Sequence, residues 1–303
     1  MPSLETQLGS LSLKNPVLTA SGTFGYGQEL EALVDLSQLG GLVCKTVTRH
    51  PRAGNAPPRT CETPAGMLNA IGLQNVGIER FVAEKLPYLR QINVPLVVNV
   101  AGESVEDFAF LARALSAEEG IAAIELNISC PNVAHGLDFA TDPALTEEVV
   151  SHARASTHLP VFAKLSPNVT DVTVIARAAE QGGAHALSLV NTFVGMAIDI
   201  HTRRPRLSNI SGGLSGPAIK PLALRAVYRC AQAVQIPIIG IGGIMNSNDA
   251  VEFLIAGASA VQVGTATFVH PDAALQVMHG IEKYLERNGI ESIAELVGSI
   301  CDS

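Results

Sequence analysis

The sequence predicts an α/β protein of the (β/α)8 TIM-barrel class. Three observations carry that reading. Apolar residues make up 47% of the chain and charged residues only 16%, against about 25% charged in an ordinary globular protein. The apolar residues come as short runs bounded by Gly, Pro or Asn, the pattern of strands buried on both faces of a parallel sheet. Eight such runs alternate with stretches of helical spacing over 303 residues. That suits a closed barrel of about 250 residues with long loops better than an open sheet.

The first strand is expected within Pro16–Gly22 (PVLTASG) and the second within Gly41–Thr48 (GLVCKTVT). The third and fourth follow in Pro95–Gly102 (PLVVNVAG) and Ala122–Pro131 (AAIELNISCP). The fifth and sixth are Pro160–Pro167 (PVFAKLSP) and Ala186–Thr192 (ALSLVNT). Pro237–Gly243 (PIIGIGG) and Ala260–Ala266 (AVQVGTA) complete the set. Helical spacing marks Ser104–Ala117, Pro143–Thr157, Asp171–Gln181, Pro217–Val234 and Ser247–Ala256. Two connections exceed ordinary barrel loops, Arg49–Val76 after strand 2 and Phe193–Gly216 after strand 6. Loops of that length in a compact domain are usually functional, and both leave the strand ends where barrel active sites sit. No linker, repeat or charge run divides residues 1–303, so a single domain is expected.

Composition narrows the function classes. Lys and Arg number 20 against 28 Asp and Glu, a formal charge of −8, which is no footprint for nucleic acid. Mean hydropathy is +0.29, yet no apolar run reaches the ~18 residues of a membrane-spanning helix. Met1–Asn15 has no basic start followed by an apolar stretch, so no signal peptide is expected. The five cysteines are scattered without a C-x-x-C pair. Neither a zinc ribbon nor an iron–sulfur cluster is encoded in this chain, no metal site is expected, and reduced thiols in a cytoplasm are the simplest reading.

Polar residues gather at the strand ends: Lys45 and Thr46, Asn99, Asn127 and Cys130, Lys164, and Asn191 with Thr192. Buried polar groups need partners. A polar ring system at the barrel mouth would supply them, although any single Asn serves equally well to tie down its own loop. Gly242–Gly243 and Gly264–Thr265 end strands 7 and 8, where barrels commonly hold a phosphate. Gly240–Met245 (GIGGIM) is not a G-x-G-x-x-G, which favours a mononucleotide over a dinucleotide. Lys45 and Lys164 offer a local positive field for an anion; the alternative is a structural ion pair with a strand or helix carboxylate. Cys44 reads as inert core. Cys130, held extended by Pro131 at the barrel mouth, reads as a nucleophile, base or redox group. His135 is the nearest imidazole and has no readable partner.

These residues resemble a known family. NISCPN (Asn127–Asn132) with His135–Gly136, CKTVT in strand 2, NAIGLQN (Asn69–Asn75) and GIGGI together resemble the class 1 dihydroorotate dehydrogenases over essentially the whole chain. NTFVGMAIDIHTRRP (Asn191–Pro205) and GGLSGPAIKP (Gly212–Pro221) resemble the class 1B catalytic subunit. The class 2 signatures, an N-terminal helical extension and a catalytic Ser, are not expected here. The resemblance implies FMN, one per chain, held by Ser21, Lys45, Thr46, Asn99, Asn127, Lys164, Val190, Gly216, Gly242, Gly243, Gly264 and Thr265. It implies dihydroorotate bound by Lys45, Asn69, Ala70, Ile71, Gly72, Leu73, Asn127, Asn191 and Thr192, with Asn132 in reach. Cys130 is the implied base in oxidation to orotate, a step of de novo UMP synthesis. The loops from Asn69 and around Cys130 are expected to close over the substrate. Electrons are expected to reach NAD through a partner subunit carrying FAD and [2Fe–2S]. The implied assembly is a cytoplasmic heterotetramer, two of each subunit, with a homodimer of this chain at its core. Competing readings are a fumarate-using class 1A enzyme, a dihydropyrimidine dehydrogenase, and a barrel that binds a phosphorylated ligand without redox chemistry.

Overall fold

The computed structural model describes residues 1–128 and 139–301. Eight parallel strands form one sheet: β1 (Val17–Thr19), β2 (Leu42–Val47), β3 (Leu96–Val100), β4 (Ala123–Asn127), β5 (Val161–Lys164), β6 (Ala186–Leu189), β7 (Ile238–Ile241) and β8 (Ala260–Val263). Their hydrogen-bonded order is β1-β8-β7-β6-β5-β4-β3-β2, so only the β1/β2 seam lacks a full ladder. A single parallel bridge, Leu18 to Gly41, spans it. There the Thr19 hydroxyl replaces a backbone pair. It donates to Val43 O at 3.1 Å and accepts from Val43 N at 2.9 Å. The sheet is thereby nearly closed into a TIM barrel.

Each strand sends alternate residues inward. Leu18, Val97, Phe162 and Ile239 come from odd strands, and Val43, Ala123, Ala186 and Ala260 from even strands. All eight are fully buried in one cluster, as in the alternating layers of such barrels. Leu8 and Leu13, from the antiparallel hairpin of Thr6–Leu8 and Leu11–Leu13, join that cluster and plug the barrel from below. The outward strand faces pack on helices, as Val98 and Val100 do with Phe108, Leu111 and Leu115.

The helices after β3, β4, β5 and β7 begin where side chains cap them. Over Val105–Ser116, Ser104 accepts from Asp107 N at 3.2 Å. Over Pro143–Ala155, Asp142 accepts from Ala144 N at 2.8 Å, with Pro143 at the first position. Over Val172–Gln181, Asp171 accepts from Thr173 N at 3.0 Å. Asn246 and Asp249 form a reciprocal capping box on Ser247–Ile255. Lys220–Ala231 and Ala273–Asn288 are also helical. Between β1 and β2 the described chain has only a 3-10 turn, Leu36–Gln38.

The segments after β2 and after β6 share one structure. Thr60–Thr63, Gly66–Asn69, Ser211–Ser215 and Phe193–Met196 pair as a four-stranded antiparallel sheet. Gly213 sits opposite Asn69 and Val194. A Cβ there would lie 2.1 Å from the Thr192 hydroxyl, so no side chain fits. No helix among the described residues is long and apolar enough to cross a membrane.

Candidate active site

The strands end beside one cavity of about 430 Å3, within the range of small-molecule sites. Ser21, Lys45, Thr46, Asn127, Lys164, Val190, Gly216, Gly242, Gly243, Gly264 and Thr265 line it, and so do Asn69, Ala70, Ile71, Gly72, Leu73, Asn191 and Thr192. Asn99 lies beneath the wall, fully buried. It accepts from the Thr46 hydroxyl at 2.5 Å and donates to Glu125 at 2.7 Å. Cys130, Asn132, His135 and Gly136 lie outside the described residues.

Two sides of the cavity differ in chemistry. The β7 and β8 ends supply backbone. Gly243 has φ +77°, and a Cβ there would lie 2.8 Å from Lys220 N and Cα. Gly216 has φ +93°, with Gly66 Cα 2.8 Å from the same point. At the glycines no side chain stands in the way, so an anion can approach amide N–H groups closely, and the Thr265 hydroxyl stands beside them, bonded to Ser215 at 2.9 Å. The β2, β4, β5 and β6 ends supply side chains. Asn191 Nδ2 donates to Asn127 Oδ1 at 3.3 Å. Lys164 is 5% exposed; its amine reaches Ser21 Oγ at 3.5 Å and lies 3.9 Å from Glu125 Oε1. Lys45 is half-buried, and burial holds its amine below the ordinary lysine range, opposed by Glu29 and reinforced by Arg59. Cys44, one residue away, faces the outer core, where burial pushes its thiol up to about 12.

Asn168, Ser215, Thr60 and Ser211 also line the cavity and escaped the sequence reading. Asn168 donates to Thr192 O at 3.0 Å and accepts from Val194 N at 2.9 Å, tying the β5 end to the segment after β6. Its signal was the polar SPN string after strand 5. The others come from the four-stranded sheet, whose pairing joins positions about 145 residues apart, and no local pattern announces it. A second cavity of about 430 Å3 shares Gly72 and Leu73. It holds the ion pairs Arg49–Asp107, at 3.3 Å, and Arg52–Glu103 and has none of the amides of β4 and β6.

Fold and cavity define the class, a (β/α)8-barrel enzyme with its site at the C-terminal mouth. Comparison with known proteins refines it. The dihydroorotate dehydrogenase profile matches residues 3–285, and the chain belongs to that family. It is 54% identical over 300 residues to dihydroorotate dehydrogenase B (NAD(+)), catalytic subunit, of Geotalea uraniireducens, covering 99% of this chain and 98% of that one. Its counterpart in Trichlorobacter lovleyi is 54% identical, covering 99% of both chains. That of Desulforudis audaxviator is 57% identical over 293 residues, covering 96% of this chain and 95% of the other.

Proposed function

We propose that this chain is the catalytic subunit of an NAD-linked, FMN-dependent dihydroorotate dehydrogenase, oxidising dihydroorotate to orotate in pyrimidine synthesis. One observation carries the substrate assignment: the cavity wall combines the half-buried Lys45 amine with the bonded amides of Asn127 and Asn191. Dihydroorotate is a carboxylate on a ring of amide groups. It asks for a cation and for paired donors and acceptors.

The donor set fits FMN. Gly242, Gly243, Gly264 and Thr265 offer backbone and a hydroxyl to its phosphate, while Ser21, Thr46, Asn127, Lys164, Val190 and Gly216 line the rest of the cavity. Asn99 would act from beneath, through the Thr46 hydroxyl. When bound, FMN supplies the two-electron acceptor for the C6–H bond. Lys45 pairs with the substrate carboxylate and fixes which ring carbon faces the cofactor. Asn69 to Leu73, Asn127, Asn191 and Thr192 hold the ring and exclude water. Cys130 takes the C5 proton onto its Sγ as thiolate.

The substrate assignment is tested with the FMN-loaded protein under anaerobic conditions. Dihydroorotate is expected to bleach the flavin, and dihydrouracil, which has no carboxylate for Lys45, at least about 100-fold more slowly. Equal rates would refute the carboxylate assignment. Cys130→Ala is expected to keep FMN and to lose at least about 100-fold in reduction rate; a near-normal rate would remove Cys130 from the mechanism.

The relatives' names, which specify NAD(+) and a catalytic subunit, support a second subunit as the route to NAD. In this reading the partner carries FAD and [2Fe–2S], and two of each subunit form a cytoplasmic heterotetramer around a pair of catalytic chains. Support for the pair comes from the segment after β6. Val194, Met196, Ile198 and Ile200 alternate along it, all exposed, with Ile200 at 79%. A row of exposed large apolar side chains marks a protein contact.

A further inference from the structure

Glu125 stands in the middle of β4 between Ile124 and Leu126 and is fully buried. It is not part of the cavity wall. Its Oε1 accepts from Asn99 Nδ2 at 2.7 Å. Its Oε2 accepts from Ser188 Oγ at 2.6 Å and from Gln262 Nε2 at 2.7 Å. The Lys164 amine is 3.9 Å from Oε1, a charge contact rather than a hydrogen bond. Through Asn99 the network extends to Thr46. Strands β3, β4, β5, β6 and β8 therefore meet at one carboxylate, with β2 joined through Asn99, immediately under the wall that Lys164 helps to form.

A rivet holding the barrel together would not need a charge. A neutral amide could take the same place, because Gln262 Oε1 is buried without a partner among the described residues, and turning that amide would offer an acceptor. Burying an ion is costly unless it is paired, and among the described residues the only cation in the network is Lys164. On the FMN reading proposed above, Lys164 faces the cofactor, which gains negative charge on reduction. A lone buried cation there would favour the reduced cofactor strongly. The carboxylate beneath subtracts from that field, which suits a chain that must pass its electrons on.

We propose that Glu125 is a positioning residue for electron transfer: the buried counter-charge that sets how much of the Lys164 field reaches the bound FMN. It touches neither substrate nor cofactor. The inference rests on the FMN reading and is tested by the midpoint potential of the bound cofactor, measured spectroscopically against reference dyes in the full chain.

Glu125 and Lys164 carry opposite formal charges, so the pair is formally neutral. Glu125→Gln leaves it positive and is expected to favour reduced over oxidised FMN by about tenfold, about 30 mV for a two-electron couple. Lys164→Met leaves it negative and is expected to shift the balance the other way. The double variant is neutral again and is expected to return to within about threefold of the wild type. Glu125→Asp keeps the charge and is expected to keep the potential, although it disturbs the hydrogen bonds more than the amide does. An unmoved potential in Glu125→Gln, or shifts of the same sign in both single variants, overturns the inference. If Glu125→Gln does not fold, Lys164→Met is compared with the double variant. Adding Glu125→Gln to it must raise the potential by the same factor, and no rise overturns the inference. A wild-type chain that takes up no FMN overturns the cofactor reading and this inference together. FMN uptake with unmoved potentials overturns this inference alone.

Discussion

Lys45 shows how one residue's surroundings make a testable demand. Burial disfavours its charged form, so its amine loses its proton below the ordinary lysine range of about 10.4. A neutral amine cannot pair with a carboxylate. Orotate binding to the FMN-loaded chain is therefore expected to weaken as pH rises through that lowered value, and to remain tight below it. Lys45→Met is expected to weaken binding about 10- to 100-fold, the worth of a charge-assisted hydrogen bond, and to abolish the alkaline fall. Spectral titration of bound flavin with orotate between pH 7 and 10 measures both; an unchanged pH profile in the variant would exclude Lys45 as the cation. Lys45, Lys164 and the strand-end amides were legible in the sequence because a polar residue in an apolar strand is conspicuous. Lys164 admitted two readings, cation at a ligand site or half of an ion pair, and the structure puts it both at the cavity wall and beside Glu125. Glu125 carried the same signal within AAIELN. What the sequence lacks is its set of partners, which come from four other strands.

At the scale of elements, local pattern was sufficient where structure is local. The eight barrel strands fall inside the eight apolar runs, and the helices from Val105 and Val172 start one residue inside the stretches read for them. The four-stranded antiparallel sheet was illegible for the opposite reason, since its strands come from two distant connections. The glycines at the cavity are tested by a contrasting pair. Gly243→Ala forces a Cβ against Lys220 backbone at positive φ, whereas at Gly264 the nearest atom to a Cβ is Ala20 Cβ at an ordinary 3.4 Å. Gly243→Ala is expected to lower stability by about 1–3 kcal/mol and FMN affinity at least about tenfold, and Gly264→Ala to lower each by less. Thermal melts and FMN titration measure the difference, and equal effects would remove the backbone cradle from the account. The exposed row after β6 is tested by Ile198→Asp with Ile200→Asp. If a second copy covers it, sedimentation should show the pair dissociating, with the isolated barrel still folded; an unchanged size would place the contact elsewhere.

At the scale of the whole molecule, the net charge of −8 describes solubility and says little of the ligand. The proposed ligands are both anions, and the charge that meets them is local, at Lys45, Lys164 and the amides of the glycine-lined wall. The apolar content is likewise accounted for by strands buried on both faces, the inner clustered with Leu8 and Leu13 and the outer against helices. In the proposed assembly the isolated chain is expected to reduce artificial acceptors and to reduce NAD at least about 100-fold more slowly than with the electron-transfer subunit added; fast reduction of NAD by the chain alone would remove the need for that subunit. The central claim is that this cavity holds FMN and oxidises dihydroorotate. Anaerobic titration of the FMN-loaded chain with dihydroorotate tests it most directly. The account predicts that the flavin absorbance bleaches and one orotate appears for each FMN reduced. Flavin that stays oxidised in the presence of excess dihydroorotate would contradict it.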